Sequence, residues 1–203
     1  MRAPWSLFIL SYAASISGQD DPAPQPKILD IDYWGSACPQ DGLTAVVGPV
    51  NAATNTAPLT FTLANLLPSL GSFGSSLRMC SIVSHISVDQ GWKVVVNAGG
   101  TSAQGNTNLP ANATMYLRST YSFAERSDVQ SVGMLDFRGP LTGQYATHIT
   151  PESNDQGAPG PCTGGELDIE FQARAVEDLK LIRRAASNET SWTLSTGLAI
   201  SRC

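Results

Sequence analysis

The run Glu166-Leu167-Asp168-Ile169-Glu170-Phe171-Gln172-Ala173-Arg174 alternates without a break. In an extended chain Leu167, Ile169, Phe171 and Ala173 fall on one side, and Glu166, Asp168, Glu170, Gln172 and Arg174 on the other. A period of two marks a β-strand with one buried and one solvated face. Antiparallel sheets covered on one side only produce this pattern.

The same period recurs on both sides of that strand. Leu59, Phe61 and Leu63 alternate with Thr60 and Thr62, and Ile82, Ile86 and Val88 with Val83, His85 and Ser87. Met115, Leu117 and Tyr121 alternate with Arg118 and Thr120. Trp92-Lys93-Val94-Val95-Val96 is rich in β-branched residues, Leu135 and Phe137 precede a turn, and Tyr145, Thr147 and Ile149 follow it. Trp192, Leu194, Leu198 and Ile200 close the series. In the first such segment Leu29, Ile31 and Tyr33 are expected on one face, with Ile28, Asp30 and Asp32 on the other. Gly, Pro, Asn and Asp clusters separate the runs, as turns require. Strands punctuated this way predict an all-β fold, an antiparallel β-sandwich. Two stretches fit poorly: residues 66–76 read as a short helix or a compact loop, and residues 175–186 as a helix-prone segment with a strand expected over 179–183.

The ends of the chain bear on its compartment. Arg2, an apolar run from Trp5 to Ala14 and the small residues Ser15-Ile16-Ser17-Gly18 form the three-part layout of a secretory signal peptide, assigned to residues 1–18. The apolar run is too short to span a bilayer, which takes about 20 residues. Residues 19–26 form a Pro-rich lead, read as disordered. Residues 27–203 are then expected to form one β-sandwich domain. The 203-residue chain carries a net charge of −5. It shows no basic stripe, which argues against a nucleic-acid partner.

Cys38, Cys80, Cys162 and Cys203 make an even count behind a leader, which predicts two disulfides. Four cysteines allow three pairings, and their spacing does not choose among them. No two lie close enough for a zinc knuckle, so no metal and no cofactor are expected. Asn112-Ala113-Thr114 and Asn188-Glu189-Thr190 are acceptor sequons for N-glycosylation.

With these residues in view, the chain resembles the fungal secreted family catalogued as domain of unknown function 4360. The likeness rests on Gly35-Ser36-Ala37-Cys38-Pro39-Gln40, Arg78-Met79-Cys80, Pro161-Cys162 and the terminal Cys203. It spans about residues 27–203. The resemblance implies a secreted filamentous-fungus protein, a β-sandwich-like fold, and pairing in sequence order, Cys38–Cys80 and Cys162–Cys203. It implies no activity. The chain departs from the family pattern at Asp41-Gly42 and at Asn97-Ala98-Gly99-Gly100-Thr101, where members carry a Tyr- and Gly-rich segment.

The polar residues offer limited chemistry. Glu166, Asp168 and Glu170 share one strand face at steps of roughly 6.5–7 Å. Paired carboxylates serve glycoside hydrolysis or calcium ligation, yet any solvated strand shows alternate acids. His85 and His148 sit on polar strand sides with no Gly-x-Ser-x-Gly elbow, and no catalytic residue is assigned. Trp34, Trp92, Tyr116 and Tyr121 are the aromatic residues suited to a sugar-stacking platform, and Trp34 has the outward parity. The candidate ligand-binding set is therefore Trp34, Glu166, Asp168 and Glu170. The reading is a non-enzymatic cell-wall or host-interface module, its partner a cell-wall polysaccharide or an extracellular protein. The alternatives are a secreted carbohydrate-active hydrolase and a self-assembling extracellular subunit. Expressed with its own leader in a secreting host, the protein is expected to begin at Gly18 or Gln19 by N-terminal sequencing.

Overall fold

A computed structural model describes residues 22–68, 75–152, 155–177 and 191–203. The strands, in chain order, are β1 (Lys27–Trp34), β2 (Leu43–Val47), β3 (Thr56–Leu63), β4 (Ser75–Ser87), β5 (Trp92–Leu109) and β6 (Ala113–Phe123). A 3-10 turn at Ala124–Arg126 leads to β7 (Gln130–Arg138), β8 (Leu141–Ile149), β9 (Ala158–Pro159), β10 (Gly164–Glu177) and β11 (Trp192–Arg202). All pair antiparallel. The front sheet is five-stranded in the order β1-β4-β10-β6-β7; the back sheet is six-stranded, β2-β3-β11-β5-β8 with β9 beside β5. The two pack face to face as the expected β-sandwich.

The alternation that opens the sequence analysis is the spine of this arrangement. Strand β10 lies at the centre of the front sheet, with β4 on one side and β6 on the other. Leu167, Ile169, Phe171, Ala173 and Ala175 are all buried. They meet the buried residues of the back sheet, and Phe171 makes an edge-on contact with Phe61 of β3 at 5.4 Å between ring centroids. Burial of large side chains of this kind contributes about 1.5–3 kcal/mol each. A slip of one residue would bury Glu166, Asp168 and Glu170 instead, so the register is strongly fixed.

A polar network crosses the sandwich within this apolar core. Asn97 of β5 is fully buried in a left-handed conformation with φ of 66°. Its Nδ2 donates to Ser131 Oγ of β7 at 2.8 Å, and its Oδ1 accepts from Thr101 Oγ1 at 2.8 Å and Thr196 Oγ1 at 3.2 Å. Thr101 Oγ1 lies 2.7 Å from the Tyr121 hydroxyl of β6, and Ser131 Oγ donates to Asp155 Oδ2 at 2.7 Å. Since Thr101 spends its proton on Asn97, the Tyr121 hydroxyl is the donor to Thr101. Burial holds the Tyr121 phenol above its ordinary range. The Asn97-to-Thr101 segment thus joins the two sheets.

Both disulfides pair in sequence order. Cys38–Cys80 ties the β1–β2 connection to β4, with Cα atoms 5.4 Å apart. Cys162–Cys203 ties the chain end to the entry of β10, at 6.1 Å. Both separations are ordinary for a disulfide. With sequence separations of 42 and 41 residues, each contributes about 3–4 kcal/mol in the chain-entropy account.

Three expectations need correction or lie beyond the described residues. Leu29 does not share a face with Ile31 and Tyr33: a register shift between Ile28 and Asp30 turns Ile28 toward the core and leaves Leu29 62% exposed. The bulge supplies the extra residue that simple alternation does not anticipate. The helix-prone segment begins as strand, because β10 runs to Glu177, and the expected strand over 179–183 lies outside the described residues; of the stretch 66–76, residues 69–74 lie outside them too, and its last two residues are not helix or loop but the start of β4. Replacing Asn97 with Ala strips three side-chain hydrogen bonds from buried partners. The Asn97→Ala variant is expected to lose about 2–4 kcal/mol in urea unfolding under oxidising conditions.

Candidate functional site

The outward residues of the front sheet form rows across its strands, and the register places them. One row runs Trp34, Ser81, Glu170, Thr120 and Val132; the next runs Asp32, Val83, Asp168, Ser122 and Gln130. A third sets Asp30, His85 and Glu166 side by side. In the other direction come Met79, Gln172, Arg118 and Met134, and then Leu77, Arg174, Tyr116 and Asp136. Acidic groups therefore gather toward one end of the face, and arginines with apolar groups toward the other.

Two hollows lie on this face. The smaller, about 310 Å³, is bordered by Trp34, Asp168, Glu170 and Arg118. The larger, about 760 Å³, is bordered by Leu77, Tyr116, Met134, Arg118, Gln172 and Arg174. Arg118 borders both, so the two hollows adjoin and mark out a groove across the face. Of the six exposed large hydrophobic residues among the described residues, four (Trp34, Leu77, Tyr116 and Met134) sit here. Concentration on one face is the feature that separates a recognition surface from scattered surface apolar groups.

Trp34 owes its position to the turn that follows. Gly35 has φ of 131°, and a side chain there would collide with the Met79 carbonyl. The turn is fastened to β4 by Ala37 N donating to Met79 O at 3.0 Å, and by Met79 N donating to Ser36 Oγ at 3.2 Å. Trp34 is left 54% exposed at the rim of the smaller hollow.

The candidate residues divide accordingly. Trp34, Asp168 and Glu170 come together; Glu166 shares their face but borders neither hollow, and its backbone N–H donates to Glu125 Oε1 at 3.4 Å. Glu170 Oε1 accepts from Gln172 Nε2 at 2.5 Å. Partial burial, and secondarily the Glu125 carboxylate, push the Asp168 carboxyl above its usual range. The aromatic platform splits. Tyr116 joins Trp34 on the face, whereas Tyr121 is buried in the polar network and Trp92 is buried under the Arg202 guanidinium, 4.0 Å from its ring centroid. His85 is on the acidic end of the face; His148 is on the back sheet, its Nε2 2.9 Å from Gly99 O. Asn112 lies half-buried in the β5–β6 turn, and Asn188 lies outside the described residues. Among the described residues no cluster of three or more His, Cys, Asp or Glu has the arrangement to hold a metal ion. Arg118, Arg174 and Gln172 are the groove residues that sequence reasoning left out. Their outward parity was readable, but their meeting with Tyr116 was not.

These features define the class: a two-disulfide antiparallel β-sandwich with a grooved outer sheet. The chain belongs to the family described as Domain of unknown function (DUF4360), whose model matches residues 24–203. No curated protein matches it by sequence. Among solved structures it is similar to that of infectious bursal disease virus Gx strain, at 9% identity and a TM-score of 0.35, covering 97% of this chain and 41% of that one. It is also similar to the carbohydrate-binding module TmCBM27, described for specific mannan recognition, at 8% identity and a TM-score of 0.32, covering 88% and 99%. A family 11 carbohydrate-binding module from Clostridium thermocellum matches at 11% identity and a TM-score of 0.22, covering 87% and 96%. Likenesses of this degree assign no activity to the chain.

The raised Asp168 has a definite consequence for stability. A carboxyl whose folded pKa exceeds its unfolded value opposes folding once it is ionised, and the opposition disappears as pH falls through the folded pKa. Asp168→Asn is therefore expected to raise Tm at pH 7 and to leave it unchanged at a pH where both forms are neutral. Paired thermal melts across that range check the sign.

Proposed function

We propose that the outer face of the front sheet is a polysaccharide-binding surface, and that the protein is a secreted fungal module acting at the cell wall or host interface without catalysis of its own. The observation that carries this reading is the pair of exposed rings, Trp34 and Tyr116, at opposite ends of one groove. They stand three strands and four residues apart, a diagonal of roughly 20 Å at ordinary sheet spacings. Between them lie Glu170, Gln172, Arg118 and Thr120. A sugar presents an apolar ring face and a polar rim. Aromatic rings take the first, and planar polar side chains take the second. A sheet face fixed by the core needs little ordering to bind, which favours affinity.

Secretion is supported by the leader layout, the two disulfides and the acceptor sequons, of which Asn112 stands in a turn. Residues 27–203 are proposed as one domain, with residues 1–18 removed and 19–26 as its lead. A second reading, a carbohydrate-active hydrolase, is favoured by one observation: Asp168 and Glu170 border the same hollow, with Asp168 shifted toward the protonated form a general acid needs.

A panel of fungal and plant polysaccharides separates the two by retention and reducing-sugar release. Retention without release is expected; release that Asp168→Asn or Glu170→Gln abolishes would establish the hydrolase instead. Trp34→Ala and Tyr116→Ala are each expected to weaken retention about 5–10-fold, the loss of about 1 kcal/mol per ring. Their thermal stability should stay near that of the parent, since both rings are exposed.

A further inference from the structure

We infer that the Tyr116 end of the groove recognises uronate, so that the glycan is an acidic one bearing sugar-ring carboxylates. This inference rests on the polysaccharide reading and names its ligand class. Arg174 of β10 stands directly opposite Tyr116 of β6, and Arg118 lies two residues further along β6. The two arginines are thus diagonal cross-strand neighbours, roughly 7–8 Å apart between backbones. Both are exposed, and neither forms an ion pair or hydrogen bond with any described residue.

Two like charges at that spacing repel, and an anion between them relieves the repulsion. A guanidinium presents parallel N–H donors that match the two oxygens of a carboxylate. Tyr116 lines the same hollow as both arginines, and Leu77 and Met134 add apolar lining to it. A pyranose stacked on Tyr116 would carry a ring carboxylate toward Arg118 or Arg174. A phosphate or sulfate alone would use the arginines and leave the apolar floor empty, which favours a carboxylate carried on a sugar.

The neighbouring acids set the limits of the site. Asp136 faces the groove from the far side of Tyr116. Glu170 is diagonal to Arg118 but is engaged by Gln172. Asp168, Glu166, Asp32 and Asp30 lie toward the Trp34 end, where carboxylates on a ligand are repelled. The ligand is therefore polarised along the groove, with uronate over Tyr116 and uncharged sugar over Trp34.

The test is calorimetric titration of the full secreted chain with trigalacturonate and with the same trisaccharide after its carboxyls are reduced to alcohols. Trigalacturonate is expected to bind at least about ten-fold more tightly than the reduced form, because charge-assisted bonds are roughly twice as strong as neutral ones. Arg118→Gln and Arg174→Gln should each erase most of that difference, bringing the two trisaccharides to nearly equal affinity. Asp136→Asn should tighten trigalacturonate binding. Equal binding of the two trisaccharides by the parent protein would overturn the inference and needs no variant to fold. Dextran sulfate competing as well as trigalacturonate would also overturn it, since the site would then be a general anion patch. Retention of neutral glycans in a Trp34-dependent manner, with no binding of trigalacturonate, would overturn the uronate assignment and leave the polysaccharide reading standing. If no glycan of the panel binds, both fall.

Discussion

Burial of the inward side chains of β10 against the back sheet is the constraint on which the outer face depends. Leu167, Ile169, Phe171, Ala173 and Ala175 occupy the middle of the core. Because strand side chains alternate, fixing those residues inward fixes Glu166, Asp168, Glu170, Gln172 and Arg174 outward. The neighbours β4 and β6 are held in register by the same core, through Ile82, Ile86, Leu117 and Tyr121. The groove is therefore the reverse side of the packing. It is supported by residues whose displacement would open cavities, at costs of about 2–5 kcal/mol for a large aliphatic side chain.

The Asn97 network adds a directional element to this packing. Apolar side chains tolerate sliding between sheets, whereas hydrogen bonds from Asn97 to Ser131, Thr101 and Thr196 hold at one alignment only. The left-handed backbone at Asn97 is one that Asn accommodates better than most residues. Asp155 then links the network to Val132 and Gly157, whose backbone N–H groups donate to its carboxylate at 3.0 and 2.7 Å. The inter-sheet alignment and the β7 edge of the front sheet are thus fixed together.

Much of the fold was legible because it depends on a local period. The runs around Phe61, Ile82, Leu117, Phe171 and Leu194 were readable as strands, and their apolar members are buried. Leu29 shows the limit of that reading: a bulge shifts one residue, and the parity of everything before it changes. The aromatic residues show another. Trp34 and Trp92 are alike in sequence, yet one caps a turn at the rim of a hollow and the other lies beneath Arg202. Nothing local distinguishes Tyr116 from Tyr121 except parity, and parity alone does not say which face is a binding face.

The sequence by itself determined the β-sandwich, the outward set on β10 and the even cysteine count, because period and composition act over a few neighbouring residues. The resemblance added the disulfide pairing, and the structure agrees with it. Only the tertiary structure decided that β10 lies between β4 and β6, with β1 and β7 at the edges. That order brings Trp34, Glu170, Arg118 and Tyr116 onto one surface from segments far apart in the chain. The pairing of distant strands is set by how the whole core fills its volume, a global condition that no short stretch of residues encodes.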